Sequence, residues 1–316
     1  MNEPLSNFVK YKNSIDTISL DEFTSNVESQ LTSVLNTIKN SNFNKEGQDL
    51  LSSRRDIILN DIVKFNKILD DLKNCAGEHI TSQEQTYLAK SYQIYEDGNT
   101  QDSSEYILDR VLFHALIYRE EIEKYLISRI KLHSKWQHAG MFIRPEYGKY
   151  VNEMTASDPL YIVDDDEALL RPTKSLWNPQ YQSRVRYKII NESRSEIFKG
   201  IPKNQMNLVV AMNFFNHKPL DIIEHYMSEI YNLLKSGGTV IFTYNNCNMA
   251  LAVQNFEKSL YSYTPESRVI PLMKMLGFSI VESYNEEATN VSWLEIRKPG
   301  KLTSLRGGQA IAKIVI

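Results

Sequence analysis

Apolar side chains recur at helical spacing through the first 130 residues. Phe23, Val27, Leu31, Val34 and Ile38 lie four, four, three and four positions apart, which lays one apolar stripe along a helix. Ile58, Ile62, Phe65, Leu69 and Leu72 repeat the pattern, and Cys75-Ala76-Gly77 predicts a stop there because glycine suits a helix C-terminus. Thr81-Ser82-Gln83-Glu84 has the form of a capping box and predicts a new start. A wider stretch follows, with Ile107, Leu108, Val111, Leu112, Ala115, Leu116, Ile122, Leu126 and Ile130, and predicts a core helix. The narrower early stripes suit intramolecular packing, or coiled-coil and protein-partner contacts, since the Asn- and Ser-rich tract 40–44 sets the first helix apart.

After Lys131 the period changes. Short β-rich runs alternate with helical ones: Gly140-Met141-Phe142-Ile143, Leu160-Tyr161-Ile162-Val163, Tyr187-Lys188-Ile189-Ile190, Leu208-Val209-Val210-Ala211 and Thr239-Val240-Ile241-Phe242-Thr243. Between the fourth and fifth, Leu220 to Leu234 places Ile223, Tyr226, Met227, Ile230 and Leu233 on one helical face. Strands alternating with helices predict parallel crossovers and a sheet covered on both sides. Phe278 to Tyr284 and Val291 to Arg297, joined by a polar turn, read as a hairpin. The expected fold is therefore α/β: a Rossmann-like, mostly parallel sheet ending in an antiparallel hairpin over 131–316, preceded by an α-helical region over 1–130.

Composition narrows the function classes. Across 316 residues the apolar share is 42% and the charged share 24%, as in soluble globular chains. A net charge of −3 argues against nucleic-acid binding through bulk electrostatics, although it leaves room for a local basic patch. Two distant cysteines, Cys75 and Cys247, offer neither a disulfide framework nor a paired-cysteine metal site. No run of about eighteen apolar residues predicts a membrane span, and Met1 to Asn13 has no signal-peptide core. The expectation is a protein of the cytoplasm, or one carried in a particle assembled inside a cell.

Several local pieces resemble the class I S-adenosylmethionine-dependent methyltransferases. Leu160-Tyr161-Ile162-Val163-Asp164 is similar to the family's second strand ending in an acid. The resemblance implies that Asp164 accepts hydrogen bonds from the cofactor's ribose, at the strand's carboxyl end where ligands of open α/β sheets bind. Asp164-Asp165-Asp166 also suits a helix entry, where acids are favoured. Gln205 to His217 resembles the fourth strand and its loop, where the family's strand delivers a polar residue next to the sulfonium. Glu229 to Phe242 resembles a common segment in which a helix ends in Leu-Lys-x-Gly-Gly and enters the fifth strand; Gly237 and Gly238 would let the chain turn through positive φ.

The family's glycine loop falls about twenty residues before the acid. Here that window is Met141-Phe142-Ile143-Arg144-Pro145-Glu146-Tyr147-Gly148: the proline is in place, Arg144 and Glu146 stand where glycines are expected, and Gly148 remains. Glycine serves there because the backbone must approach the cofactor closely. Arg144 and Glu146 would either contact a ligand in another way or fill its pocket. The chain is most similar to methyltransferase-like proteins encoded by T4-like tailed phages, including those of cyanobacteria. The carrying pieces are Ile143-Arg144-Pro145 with Gly148, Ala156 to Asp164, Asn213-Phe214-Phe215-Asn216 with Pro219-Leu220, and Phe242 to Cys247.

Methyl transfer from a sulfonium is an in-line displacement helped mainly by positioning; a base matters only for a protonated acceptor. Asn213 and His217 are the candidate catalytic groups, with Asn216, Tyr244, Asn245 and Asn246 at the same sheet edge. Arg144, Glu146, Gly148, Asp164 and Met212 are the candidate cofactor-binding residues, with S-adenosylmethionine as the implied cofactor, no metal, and an unnamed methyl acceptor. Tyr261, Tyr263, Phe278 and Tyr284 suit an acceptor pocket or, more ordinarily, the core. Two functions compete: a methyltransferase-like protein of weak activity, and a catalytically inactive structural protein of a tailed-phage virion or assembly in the host cytoplasm.

Overall fold

The structure is a computed structural model that describes residues 4–18, 20–39, 45–100, 120–144, 150–167, 170, 174, 177, 179–192, 194–258 and 261–301. The expected apolar stretch 107–116, the tract 40–44, Glu146 and Gly148 lie outside the described residues. The chain divides into two compact units, Met1–Gln85 and Thr86–Ile316.

In the first unit α1 spans Leu5–Asp16, α2 Leu20–Lys39, and α3 begins at Lys45 and runs to Thr100. The α1 helix has no counterpart in the periodicity read above. The expected break near Gly77 and the restart at Thr81 do not occur. A mid-helix glycine costs about 1 kcal/mol relative to alanine, too little to stop a stripe that continues on both sides. Thr81 Oγ1 donates to the Gly77 carbonyl at 2.9 Å, one helical turn back, instead of capping a new helix. Within this unit Phe8 packs on the His79 ring at 3.8 Å, and Lys73 pairs with Asp16.

In the second unit α4 spans Glu120–His133 and leads into the sheet. Its strands are β1 Ala139–Ile143, β2 Leu160–Asp164, β3 Val185–Ile189, β4 Met206–Ala211, β5 Leu234–Thr243, β6 Ser279–Glu286 and β7 Val291–Arg297. Among the described residues these seven form one sheet in the order β3-β2-β1-β4-β5-β7-β6. The first five pair in parallel, while β7 inserts antiparallel between β5 and β6. Right-handed crossover logic gives such doubly wound sheets a ligand crevice at the carboxyl ends of β1 and its neighbours, where the strand order reverses. The remaining α-helices among the described residues are α5 Pro179–Gln182, α6 Leu220–Leu233, α7 Ala250–Glu257 and α8 Glu266–Met275. The Rossmann-like sheet with its terminal hairpin is thus as the sequence predicts.

Each face of the sheet buries a layer. The α6 stripe of Ile223, Tyr226, Met227, Ile230 and Leu233 is buried against Val209, Val240 and Phe242 on one side. On the other, Ile122, Leu126 and Ile130 of α4 pack with Phe142, Ile162 and Val210. A buried carboxylate also pins α4: Glu295 on β7 accepts from Arg129 Nε at 2.7 Å and lies 2.8 Å from His133 Nε2. Burial alone would raise the Glu295 carboxyl, but His133 and Arg129 hold it below its ordinary value.

The entry to β5 shows what its two glycines do. Met206 pairs with Leu234 and Leu208 with Thr239, so Lys235 to Gly238 bulge out of the ladder. Gly237 takes φ +77°, as the turn reading requires. Gly238 answers a different need: a Cβ there would sit 2.8 Å from the Met206 carbonyl oxygen.

Candidate functional site

The carboxyl ends of β1 and β2 bring Arg144 and the aspartates together. Arg144 follows β1 in the left-handed region, φ +51°, with its N–H donating to the Val163 carbonyl at 2.8 Å. That conformation suits glycine and costs an L side chain roughly 1–2 kcal/mol. The side chain is 6% exposed. Its Nη2 donates to Asp165 Oδ1 at 2.6 Å, its Nε lies 3.7 Å from Asp164 Oδ1, and its guanidinium carbon sits 4.9 Å from the centre of the Phe214 ring.

A second ion pair continues the network. Lys218, buried at the start of α6, lies 2.7 and 2.9 Å from the two carboxylate oxygens of Glu192. Its ammonium faces the rings of Phe214 at 5.1 Å and Tyr95 at 4.8 Å, and the Tyr95 hydroxyl donates to Glu192. Phe214 therefore has a cation on each of two contacts.

Asp164 is 1% exposed, and burial pushes its carboxyl up to about 7, a rise that Arg144 opposes and Asp165 reinforces. Asp165 keeps part of its side chain exposed, and Arg144 beside it, with Asp164 and Lys218 near it, holds it well below the usual carboxylate range. With Asp164 protonated, two cations face two anions and the network is close to neutral. Asp164 Oδ1 accepts from the Asp166 N–H at 3.1 Å, an Asx-type turn, while Oδ2 is buried with no hydrogen-bond partner.

The other sequence candidates are placed separately. Asn213, at φ +51°, donates its backbone N–H to Thr243 Oγ1 at 2.5 Å, and Thr243 donates to Asn216 Oδ1 at 3.0 Å. Thr243 thus ties the ends of β4 and β5 together. Sequence reasoning passed it over, although its place at a strand's carboxyl end was legible. Half-buried His217 sets its ring edge-on to Tyr261 at 4.9 Å. Met212 is buried in the α4-side layer.

Asn245 and Asn246 hold loops rather than facing open space. Asn245 Nδ2 donates to the carbonyls of Ala252 and Ser262 at 3.1 and 3.0 Å. Asn246 Oδ1 accepts from the N–H groups of Asn248 and Glu266 at 3.1 and 3.0 Å, which caps α8. Tyr261, Tyr263 and Phe278 are core residues, and Tyr284 stacks on Trp293 at 5.4 Å.

The residues at this edge do not fit a nucleoside cofactor as they stand. A ribose would need an accessible, ionised Asp164, but that carboxyl is covered and carries a raised pKa. The backbone at Arg144 takes a positive φ that glycine favours, and its side chain is buried with its guanidinium against Asp165 and near Asp164.

No family model matches the chain, and no curated protein is similar to it in sequence. Among solved structures, an S-adenosylmethionine-dependent methyltransferase from Clostridium acetobutylicum aligns over 61% of this chain and 97% of its own, with 12% identity and a TM-score of 0.49. The N-methyltransferase NodS from Bradyrhizobium japonicum, in complex with S-adenosyl-L-homocysteine, aligns over 67% and 100%, with 13% identity and a TM-score of 0.46. The [4+2]-cyclase SpnF aligns over 56% and 82%, with 10% identity and a TM-score of 0.45. At these levels the likeness concerns the fold alone. The chain's own strand order and terminal hairpin establish a Rossmann-like architecture.

Proposed function

We propose that residues 131–316 are a methyltransferase-like domain whose cofactor pocket is closed by its own side chains, so that the domain acts as a scaffold with weak or no methyl transfer. One observation carries this reading: Arg144 is folded inward at φ +51° with its guanidinium paired to Asp165 and beside Asp164. Opening the pocket would pull the buried Arg144 guanidinium away from Asp165 and Asp164, and a buried cation left without its partner is costly. Binding energy spent on that separation is lost to affinity. Fold by itself does not assign activity, so the site has to.

The helical region 1–130 is, in this proposal, a protein-interaction module. The sequence resemblance to tailed-phage proteins makes a virion or assembly in the host cytoplasm the setting we favour. Asn213 and His217 then serve as loop supports instead of catalytic groups. Calorimetric titration of S-adenosylhomocysteine into the whole protein is the test. We expect no saturable heat; a saturable isotherm on the wild type would return the domain to the enzymes.

A further inference from the structure

The amino edge of the sheet, opposite the charged network, carries a second cluster. It comes from the segment before β1, the segment before β3 and the bulge that opens β5. Arg184 lies between two rings, its guanidinium carbon 4.7 Å from the centroids of both Trp136 and Tyr181. Its Nη1 is buried without a hydrogen-bond partner. Lys235 is buried with its ammonium against His138 Nδ1. Burial brings Lys235 down to about 8, and nearby Lys135 adds to the fall. His138 is lowered by burial first, then by Lys235 and Lys135.

Among the described residues no acid answers these cations. The adjacent Lys131 is paired with Glu153 at 2.9 Å, but among the described residues Lys135, Arg184 and Lys235 have no carboxylate at ion-pair distance. In a chain of net charge −3, a group of positive side chains left without counter-charge is a local exception. Trp136 makes it more specific. It is 60% exposed, whereas Trp177 and Trp293 are buried, and with Arg184 on its ring it still offers an open face. A flat π-surface next to unpaired cations matches a base and its phosphate. A duplex keeps its bases stacked and cannot use that surface, whereas a single strand can.

We propose that this edge is a docking surface for single-stranded nucleic acid, with a base stacked on Trp136 and phosphates at Lys135 and Arg184. The surface is independent of the Arg144 network and of whether any nucleoside cofactor binds. The probe is labelled oligothymidylate, followed by anisotropy at low salt with the whole protein. We expect saturable binding that weakens as salt rises, and quenching of the exposed Trp136 emission. Trp136→Ala and Lys135→Glu should each weaken binding about tenfold. Lys64→Glu, a charge change on the other unit, should leave it unaltered. If Trp136→Ala fails to fold, Lys135→Glu at an exposed position still decides the matter. Absence of binding at low salt, or equal affinity in the folded variants, would overturn the proposal. Thymidine monophosphate competing as strongly as the strand would also overturn it, in favour of a mononucleotide site.

Discussion

Arg144 donates to Asp165 across 2.6 Å, although the two side chains leave adjacent parallel strands at their carboxyl ends. The β1–β2 register brings Ile143 opposite Val163, so Arg144, one residue past β1's partner position, and Asp165, two past β2's, emerge at the same edge and meet there. Arg144→Ala should destabilise the second unit by about 2 kcal/mol, since partly exposed Asp165 loses its charged hydrogen-bond partner and buried Asp164 loses the cation beside it. Arg144→Gly should cost about 1 kcal/mol less than Arg144→Ala, because glycine accepts φ +51° freely. Urea denaturation of both variants checks the order; equal losses would remove the backbone contribution.

The Asp164 carboxyl supplies a pH signature. Its folded value, about 7, lies above its ordinary value of 3.8. Its contribution to stability is therefore fully present below about pH 4 and is lost as pH rises through about 7. Measured against Asp164→Asn, which does not titrate, the wild type should lose relative stability over that window, on the order of a few kcal/mol, and then level off. A pH-independent difference would show that Asp164 is ionised in the folded protein.

Glu295 should behave with the opposite sign. Its folded carboxyl is depressed by His133 and Arg129, so the stability it contributes is present above the ordinary carboxylate value and is lost as pH falls through the depressed one. Glu295→Gln should cost about 3 kcal/mol at neutral pH, because it unpairs two groups that face the sheet from α4. Faster amide exchange in Glu120–His133 should accompany the loss. Unchanged protection there would mean that apolar packing alone holds the helix.

The period of apolar residues was enough to read the strands, the α6 face and the terminal hairpin, because a buried face repeats within one element. It failed at Gly77, where a weak local stop yielded to a stripe that persists on both sides. Arg144 could be singled out in the sequence, but its partner could not. Asp165 reads as a helix-entry acid, and only the order β2-β1 places it against Arg144. Lys218 and Glu192, paired over 26 residues, were equally hidden, since contact between loops of different strands leaves no periodic trace. Thr243 shows the same limit: the hydroxyl that receives the Asn213 N–H belongs to the neighbouring strand.

That cross-strand bond gives a further expectation. Thr243→Val keeps the shape of the side chain but leaves the Asn213 N–H and Asn216 Oδ1 without their shared partner. A loss of about 1–3 kcal/mol should follow, measured by chemical denaturation. A neutral substitution would indicate that the β4 loop relaxes and finds another acceptor for the Asn213 N–H and another donor for Asn216 Oδ1.

Thermal unfolding of the wild type and of Arg144→Gly with Glu146→Gly, each with increasing S-adenosylmethionine, tests the closed pocket most directly. A ligand that binds the native state raises stability by RT ln(1 + [L]/Kd), so the readout needs no knowledge of the methyl acceptor. If Arg144 and its partners occupy the cofactor's place, the wild-type midpoint stays fixed at every concentration. The double variant, starting lower, then rises with ligand. A wild-type midpoint that climbs with S-adenosylmethionine, and a double variant that no longer responds, would contradict the closed pocket and make Arg144 a residue that holds the cofactor.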